Sequence, residues 1–188
     1  MDGKTRISRA TFYQFMATTI PEACPLPFQT FPWDPQIHLG LFIHRVDDLA
    51  EGLYFLVRNK NHLIHLKSKL KKDFTWIKPK DCPDDMDLFL LQEGDFRGMA
   101  TSVSCGQEIA GQGCFSLGMI SAFENASTNY GAWMYPRLYW ECGAIGQMLY
   151  LQAEVSGIRS TGIGCFFDDP VCEVFGIEDR SYQSLYHF

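Results

Sequence analysis

Along the chain the spacing of apolar residues switches between the helical and the extended period. Residues 5–19 place Phe12, Phe15 and Met16 on one face, with Ser8 set to cap a helix beginning near Arg9. Prolines at 21, 25, 27, 32 and 35 argue against a helix there and predict an extended loop. Ile37, Leu39, Leu41 and Ile43 alternate, which predicts a strand over 37–46. Residues 47–52 then turn the chain and 53–57 return, giving a β-hairpin arm over 37–57. Residues 62–72 predict a helix with Leu63, Leu66 and Leu70 inward and lysines outward. The polar stretch 81–87 reads as a loop, and a short helix is expected between Gly94 and Met99. The apolar run 114–123 predicts a buried strand in spite of Gly118. Pro136 suits the first turn of a long helix reaching about Ser156. Leu138, Cys142, Ile145, Met148, Leu149, Leu151 and Val155 form its apolar stripe, and Gly157 supplies a left-handed stop. Gly143 and Gly146 each cost that helix about 1 kcal/mol relative to alanine. The cost points to close approach of another backbone or a ligand, with chance as the alternative. Residues 159–167 read as a glycine-broken strand, Asp169-Pro170 opens a short helix ended by Gly176, and 183–188 read as a final strand. Strands alternating with helices predict an α+β fold, with residues 1–188 forming one domain.

Composition narrows the class. Hydrophobic residues are 46% and charged residues 20%, the balance of a folded globular chain. Fifteen Phe, eight Tyr and four Trp suit a packed core plus some surface for a planar ligand or a second subunit, with core packing the plain reading of any single one. The net charge of −6 argues against nucleic acid as a partner. Residues 58–80 nevertheless carry eight basic residues against one acid, read as a solvated helix face or as a contact for an anionic partner. Seven cysteines, with no Cys-x-x-Cys pair, predict free thiols rather than a disulfide framework, and hence a reducing compartment. No signal-peptide core and no apolar run of membrane-spanning length occur, so a cytoplasmic protein with no membrane partner is expected.

Several chemistries lack their residues. His62 and His65 form His-x-x-His, but no cysteine or carboxylate stands beside them at ligand spacing, and no metal is expected. Neither Gly-x-Ser-x-Gly nor a phosphate-cradling Gly-x-x-x-x-Gly-Lys is present. Gly162-Ile163-Gly164 opens like a dinucleotide fingerprint, yet the third glycine is missing and Phe166-Phe167 do not start a helix. Glycines at 162 and 164 leave backbone amides unshielded, and such amides can stabilise charge developing on a flavin ring. The alternative is a bend or bulge in a strand. Cys165 has no neighbour in sequence that would lower its pKa, so a packed thiol is expected.

The segment YPRLYWECGAIGQMLYLQAEVSGIRSTGIGCFFDDPVCEVFGI (135–177), followed by QSLYHF, resembles the C-terminal half of the nitroreductase superfamily, most closely its SagB-type dehydrogenase-like branch. Residues 37–57 resemble that branch's hairpin, and SCGQEIAGQGCFSLGMI (104–120) resembles the approach to its central strand. The resemblance implies a nitroreductase-like α+β sandwich with a mostly antiparallel sheet flanked by helices. It implies a homodimer with FMN at the interface and hydride exchange through flavin N5. NAD(P)H would serve as donor, with a small molecule or peptide as substrate. By the same resemblance Gly162, Ile163, Gly164 and Cys165 would border the isoalloxazine edge, with no amino-acid nucleophile. Two departures stand out. The family's Arg-Arg-Ser phosphate grip is not matched by Arg6 and Arg9, and no basic contact follows the last strand. A non-catalytic relative, a binding or scaffold protein with a degenerate flavin site, is therefore the alternative expectation. The Lys-Tyr pair of azoline-oxidising members is also absent, which disfavours azole formation.

Overall fold

The computed structural model describes residues 2–188. Five strands form one sheet in the order β3-β2-β1-β4-β5, with every neighbouring pair antiparallel. These are β1 (Ile37–Ile43), β2 (Gly52–Leu56), β3 (Leu88–Glu93), β4 (Phe115–Ser121) and β5 (Gln183–His187). The hairpin expected as an arm is instead the middle of this sheet, because β1 pairs with both β2 and β4. All seven residues of β1 are buried, so both of its faces are covered. The even and odd positions serve two separate cores. Ile37, Leu39, Leu41 and Ile43 join Leu117 and Met119 of β4 beneath α1 (Arg9–Ala17) and α7 (Tyr135–Val155). Phe42, Phe55 and Ile120 face the other way, toward α3 (Leu63–Lys69), α4 (Arg97–Val103) and α8 (Asp168–Phe175).

Local chemistry explains most boundaries. Ser8 Oγ accepts the Thr11 amide at 3.1 Å and starts α1 as expected. Gly157, at φ 68°, ends α7: its N–H donates to Glu154 O and the Ile158 N–H donates to Ala153 O, a Schellman closure. Gly40 and Gly118 lie directly opposite each other in the β1–β4 pairing. A Cβ on Gly40 would come within 2.6 Å of the Phe175 ring, and one on Gly118 within 3.2 Å of the His187 imidazole. The two glycines thus let α8 and the His187 ring settle onto the middle of the sheet.

Five further expectations are corrected. Strand β3 and the helices α5 (Ile109–Gln112) and α6 (Phe123–Tyr130) occupy stretches where no such element was predicted. Residues 159–167 form no strand; only an isolated bridge joins Ile163 to His187. The stripe of α7 is buried at Leu138, Cys142, Ile145 and Leu149, but Leu151 is 50% and Val155 82% exposed. In the basic stretch, Arg58 is fully buried rather than solvated. One turn, α2 (Pro25–Phe28), interrupts the proline loop.

Arg58 and Glu141 are the charges at the centre of the first core. Arg58 Nη1 donates to Glu141 Oε1 at 2.5 Å and to Ile37 O at 2.8 Å, and Nε donates to Thr19 O at 2.6 Å. The carboxylate also accepts the Gln36 and Ile37 amides at 3.1 and 3.2 Å. Removing one partner from such a buried pair strands the other and typically costs about 3–5 kcal/mol. Arg58→Met is therefore expected to lower unfolding stability in urea by that amount. Arg58→Met with Glu141→Leu should recover part of the loss.

Candidate functional site

A cavity of about 380 Å³ opens at one end of the sheet, within the size range of small-molecule sites. Phe15, Phe115, Ile158, Ile163 and Phe188 supply its apolar walls, with Ile109 and Ala110 of α5 on one side. The loop after α7, residues 157–163, closes the other side. Two hydroxyls stand out in the lining. Ser116 is only 5% exposed, and neither its Oγ nor the buried Oγ of Ser160 has a hydrogen-bond partner among the described residues. Buried hydroxyls in native proteins are normally paired. Both oxygens are themselves covered by protein atoms, so they lie behind the cavity surface and not on it.

The glycine bend borders this cavity through Thr161 and Ile163. Ile163 is buried and its N–H donates to His187 O at 2.9 Å. The Gly162 N–H donates to Tyr150 Oη at 2.7 Å, and a Cβ at 162 would meet the Tyr186 hydroxyl. Gly164 is exposed with nothing within 4 Å of a Cβ position. Among the described residues, the amides of Gly164 and Cys165 donate to no backbone carbonyl. The four candidate residues therefore differ: the Gly162 amide is taken, Ile163 anchors the bend, and the next two amides are free.

Cys165 is not the packed thiol expected of it. It is exposed and forms a disulfide with Cys105, which lies in the turn after α4. No local spacing signals this pair, because 60 positions separate the two cysteines. Cys24, Cys82, Cys114, Cys142 and Cys172 are free thiols. Burial raises the Cys114 thiol at the cavity wall above its ordinary value.

Cations near the site are mostly committed. Arg6 pairs with Asp47 at 2.5 Å, Arg9 with Asp81 at 2.7 Å, and Arg45 donates to the carbonyls of Gln112 and Gly113. Arg159 lines the cavity and is held by a solvent-exposed pair with Glu154 and a 3.4 Å bond to the Ile158 carbonyl. His62 and His65 diverge, the first to His38 at 3.0 Å and the second to the Tyr182 hydroxyl at 3.0 Å. Among the described residues no three His, Cys, Asp or Glu side chains converge as a metal-ligating group, and no helix is long and apolar enough to cross a membrane.

Comparison with known proteins agrees with this architecture. No protein-family model and no curated protein sequence matches the chain. Among solved structures, 99% of the chain superposes on 34% of a protein described as a nitroreductase from Anabaena variabilis, with TM-score 0.71 and 22% identity. The fold is that of the nitroreductases. A chain of the E. coli microcin synthetase McbBCD complex with truncated pro-MccB17 bound shares this fold at TM-score 0.65 and 17% identity, over 98% of this chain and 64% of that one. A Ralstonia eutropha protein described as a nitroreductase follows at TM-score 0.59 and 12% identity, covering 94% and 69% of the two chains. The chain thus spans about a third of the first of these nitroreductase-fold proteins and just under two thirds of the second.

Burial pushes His187, whose ring stacks on Phe166, down to about 4, and burial also lowers His44 to about 4. Both imidazoles are thus neutral in the folded protein, whereas in the unfolded chain they protonate near 6.5. Their contribution to stability is complete above pH 6.5 and is lost as pH falls toward 4, by roughly 3 kcal/mol for each. The urea midpoint is expected to fall between pH 6.5 and 5, before ordinary carboxylates titrate. His187→Gln should flatten that slope.

Proposed function

We propose that this chain is a flavin-binding oxidoreductase of the nitroreductase type, related to the SagB-type branch, with FMN in the cavity between α5 and the 157–163 loop. The carrying observation is an apolar cavity of about 380 Å³ beside the glycine bend, walled by Phe15, Phe115, Ile163 and Phe188. These residues fit a flat, largely apolar ring system that carries a few hydrogen-bonding atoms. When bound, FMN supplies two-electron transfer between a reduced donor such as NAD(P)H and an organic acceptor.

The chain's own groups would then position and tune the ring. Phe15, Phe115 and Phe188 offer apolar packing and exclude water. The unpaired amides of Gly164 and Cys165 would lie along the ring edge, where fixed N–H dipoles stabilise developing negative charge without supplying a competing acid. Arg159 is the lining cation free to turn toward a phosphate. Its exposed pair with Glu154 is worth only about 0–1 kcal/mol, so redirecting it costs little.

A homodimer belongs to the same proposal. Trp140 (56% exposed) and Leu151 lie three helical turns apart on α7, with Val155 one turn further on. Gly143 lies between them and has open space around it. An apolar outer stripe on a helix whose inner stripe is already buried suits a second subunit. The microcin synthetase neighbour, a chain from a complex with a peptide bound, also favours a protein or peptide partner.

A second reading, a scaffold protein with a degenerate flavin site, draws on the committed Arg6, Arg9 and Arg45 and on the Gly162 amide being occupied by Tyr150. Titration with FMN, followed by flavin absorbance and fluorescence after desalting, decides between the two. The oxidoreductase reading expects a yellow protein bleached by NAD(P)H; a colourless protein that takes up no FMN sinks it. Arg159→Ala should weaken FMN binding by about 10–100-fold, the value of one charge-assisted contact. Ser116→Leu, which fills the cavity, should abolish binding while leaving circular dichroism unchanged. Sedimentation should show a dimer, and Trp140→Glu a monomer.

A further inference from the structure

Two segments meet at the Cys105–Cys165 disulfide: the turn between α4 and α5, and the glycine bend. The bend lines the cavity through Thr161 and Ile163, and the turn leads directly into α5, whose Ile109, Ala110 and Gln112 line it on the other side. Beyond the disulfide, the two segments are joined by few polar links. The Phe167 N–H donates to Val103 O at 2.8 Å, and Gln107 Nε2 donates to Cys165 O at 3.0 Å.

The position of the pair is that of an exchangeable bond. Cys165 is exposed and Cys105 half-buried, so an attacking thiolate can reach a sulfur without prior unfolding. Cys105 holds a left-handed backbone, φ 56°, that a non-glycine residue adopts only when its surroundings impose it. Five other cysteines stay unpaired, three of them only partly buried. A lone, accessible disulfide amid free thiols is the pattern of a reversible couple, not of an oxidised framework.

We infer that Cys105 and Cys165 form a reversible thiol–disulfide site that takes a dithiol as reductant, and that reduction frees the glycine bend bordering the cavity. In the exchange, a thiolate of the dithiol attacks one sulfur and the Cys105–Cys165 bond breaks. The second thiol of the reductant then resolves the mixed disulfide. Two electrons and two protons pass to the cysteines, and the reductant leaves as its own disulfide. The inference does not depend on flavin binding.

The test uses the full chain without cofactor. The protein is oxidised with glutathione disulfide and then titrated with dithiothreitol in the absence of denaturant. Alkylation and mass mapping follow the thiols, and circular dichroism follows the fold. Cys105 and Cys165 are expected to open together in one reversible step with the sheet intact. Hydrogen exchange across 161–167 should then accelerate at least about tenfold while β3 is unchanged. Cys165→Ser, and Cys105→Gly with its left-handed backbone satisfied, should show the fast bend in both buffers. Three results would each overturn the inference: both thiols alkylated in the oxidised protein, a bond that resists reduction until the sheet unfolds, or equal exchange of the bend in the two states. No readout involves FMN, so a failed FMN titration and a failed exchange test remain distinct.

Discussion

Arg58 and Glu141 meet where four segments of chain converge, and neither is in contact with water to any useful extent. The guanidinium reaches the carbonyl at the end of α1 and the first carbonyl of β1, while the carboxylate takes the amides of Gln36 and Ile37. Desolvating two charges is costly, and only a nearly complete set of hydrogen bonds offsets it. Arg58 Nη2 has no partner, but its guanidinium lies 4.8 Å from the centre of the Phe28 ring. The pair tolerates little displacement, so α7 is held at one position and rotation against the head of β1. Everything that follows α7, including the Schellman turn and the bend at 157–163, inherits that placement.

The opposite face of the sheet is organised by absence of side chain. Gly40 and Gly118 leave a shallow depression in which Phe175, Ile120 and His187 pack. This draws α8 inward and carries the segment before it, with Phe166 and Cys165, across the end of β5. The cavity is the space left between two rigid placements, the end of α7 fixed through Glu141 and the bend fixed through His187 and Cys105. A space defined by two independent anchors is preorganised, and preorganisation lowers the ordering cost of binding in general.

Much of this was legible in the residues. Ser8, Pro136, Gly157 and Gly176 act at helix ends through mechanisms that depend only on local chemistry, and each stands at or next to the boundary it predicts. Alternation in 37–43 identified β1, although its complete burial made the arm reading fail. Residues 88–93 escaped because the run Leu-Phe-Leu-Leu has no clean period, and a bulge between Leu53 and Tyr54 disturbs its register with β2. Residues 159–167 have strand-like composition, but one edge of that segment is tied by a disulfide and the other by a single bridge, so no ladder forms. Ser116 and Ser160 could not be singled out in advance. A serine in an apolar run carries no signal until the surrounding atoms show that its hydroxyl is unpaired.

The glycine bend shows how one short segment can satisfy steric, covalent and chemical demands together. At Gly162 a Cβ would meet the Tyr186 hydroxyl, so that half-buried ring would have to move, whatever the ligand. Ile163 is buried and paired to His187, which prevents the bend from swinging freely. Gly164 has neither constraint: its Cβ position is open and its amide is unpaired. A residue that is glycine without a steric need leaves its amide exposed to an approaching molecule, and this separates position 164 from position 162 as the more informative of the two. Cys165 then ties the free end of the bend to the α4–α5 turn, so the two unpaired amides are presented from a segment fixed at both ends. Fixed N–H dipoles of this kind need no reorganisation when negative charge appears beside them.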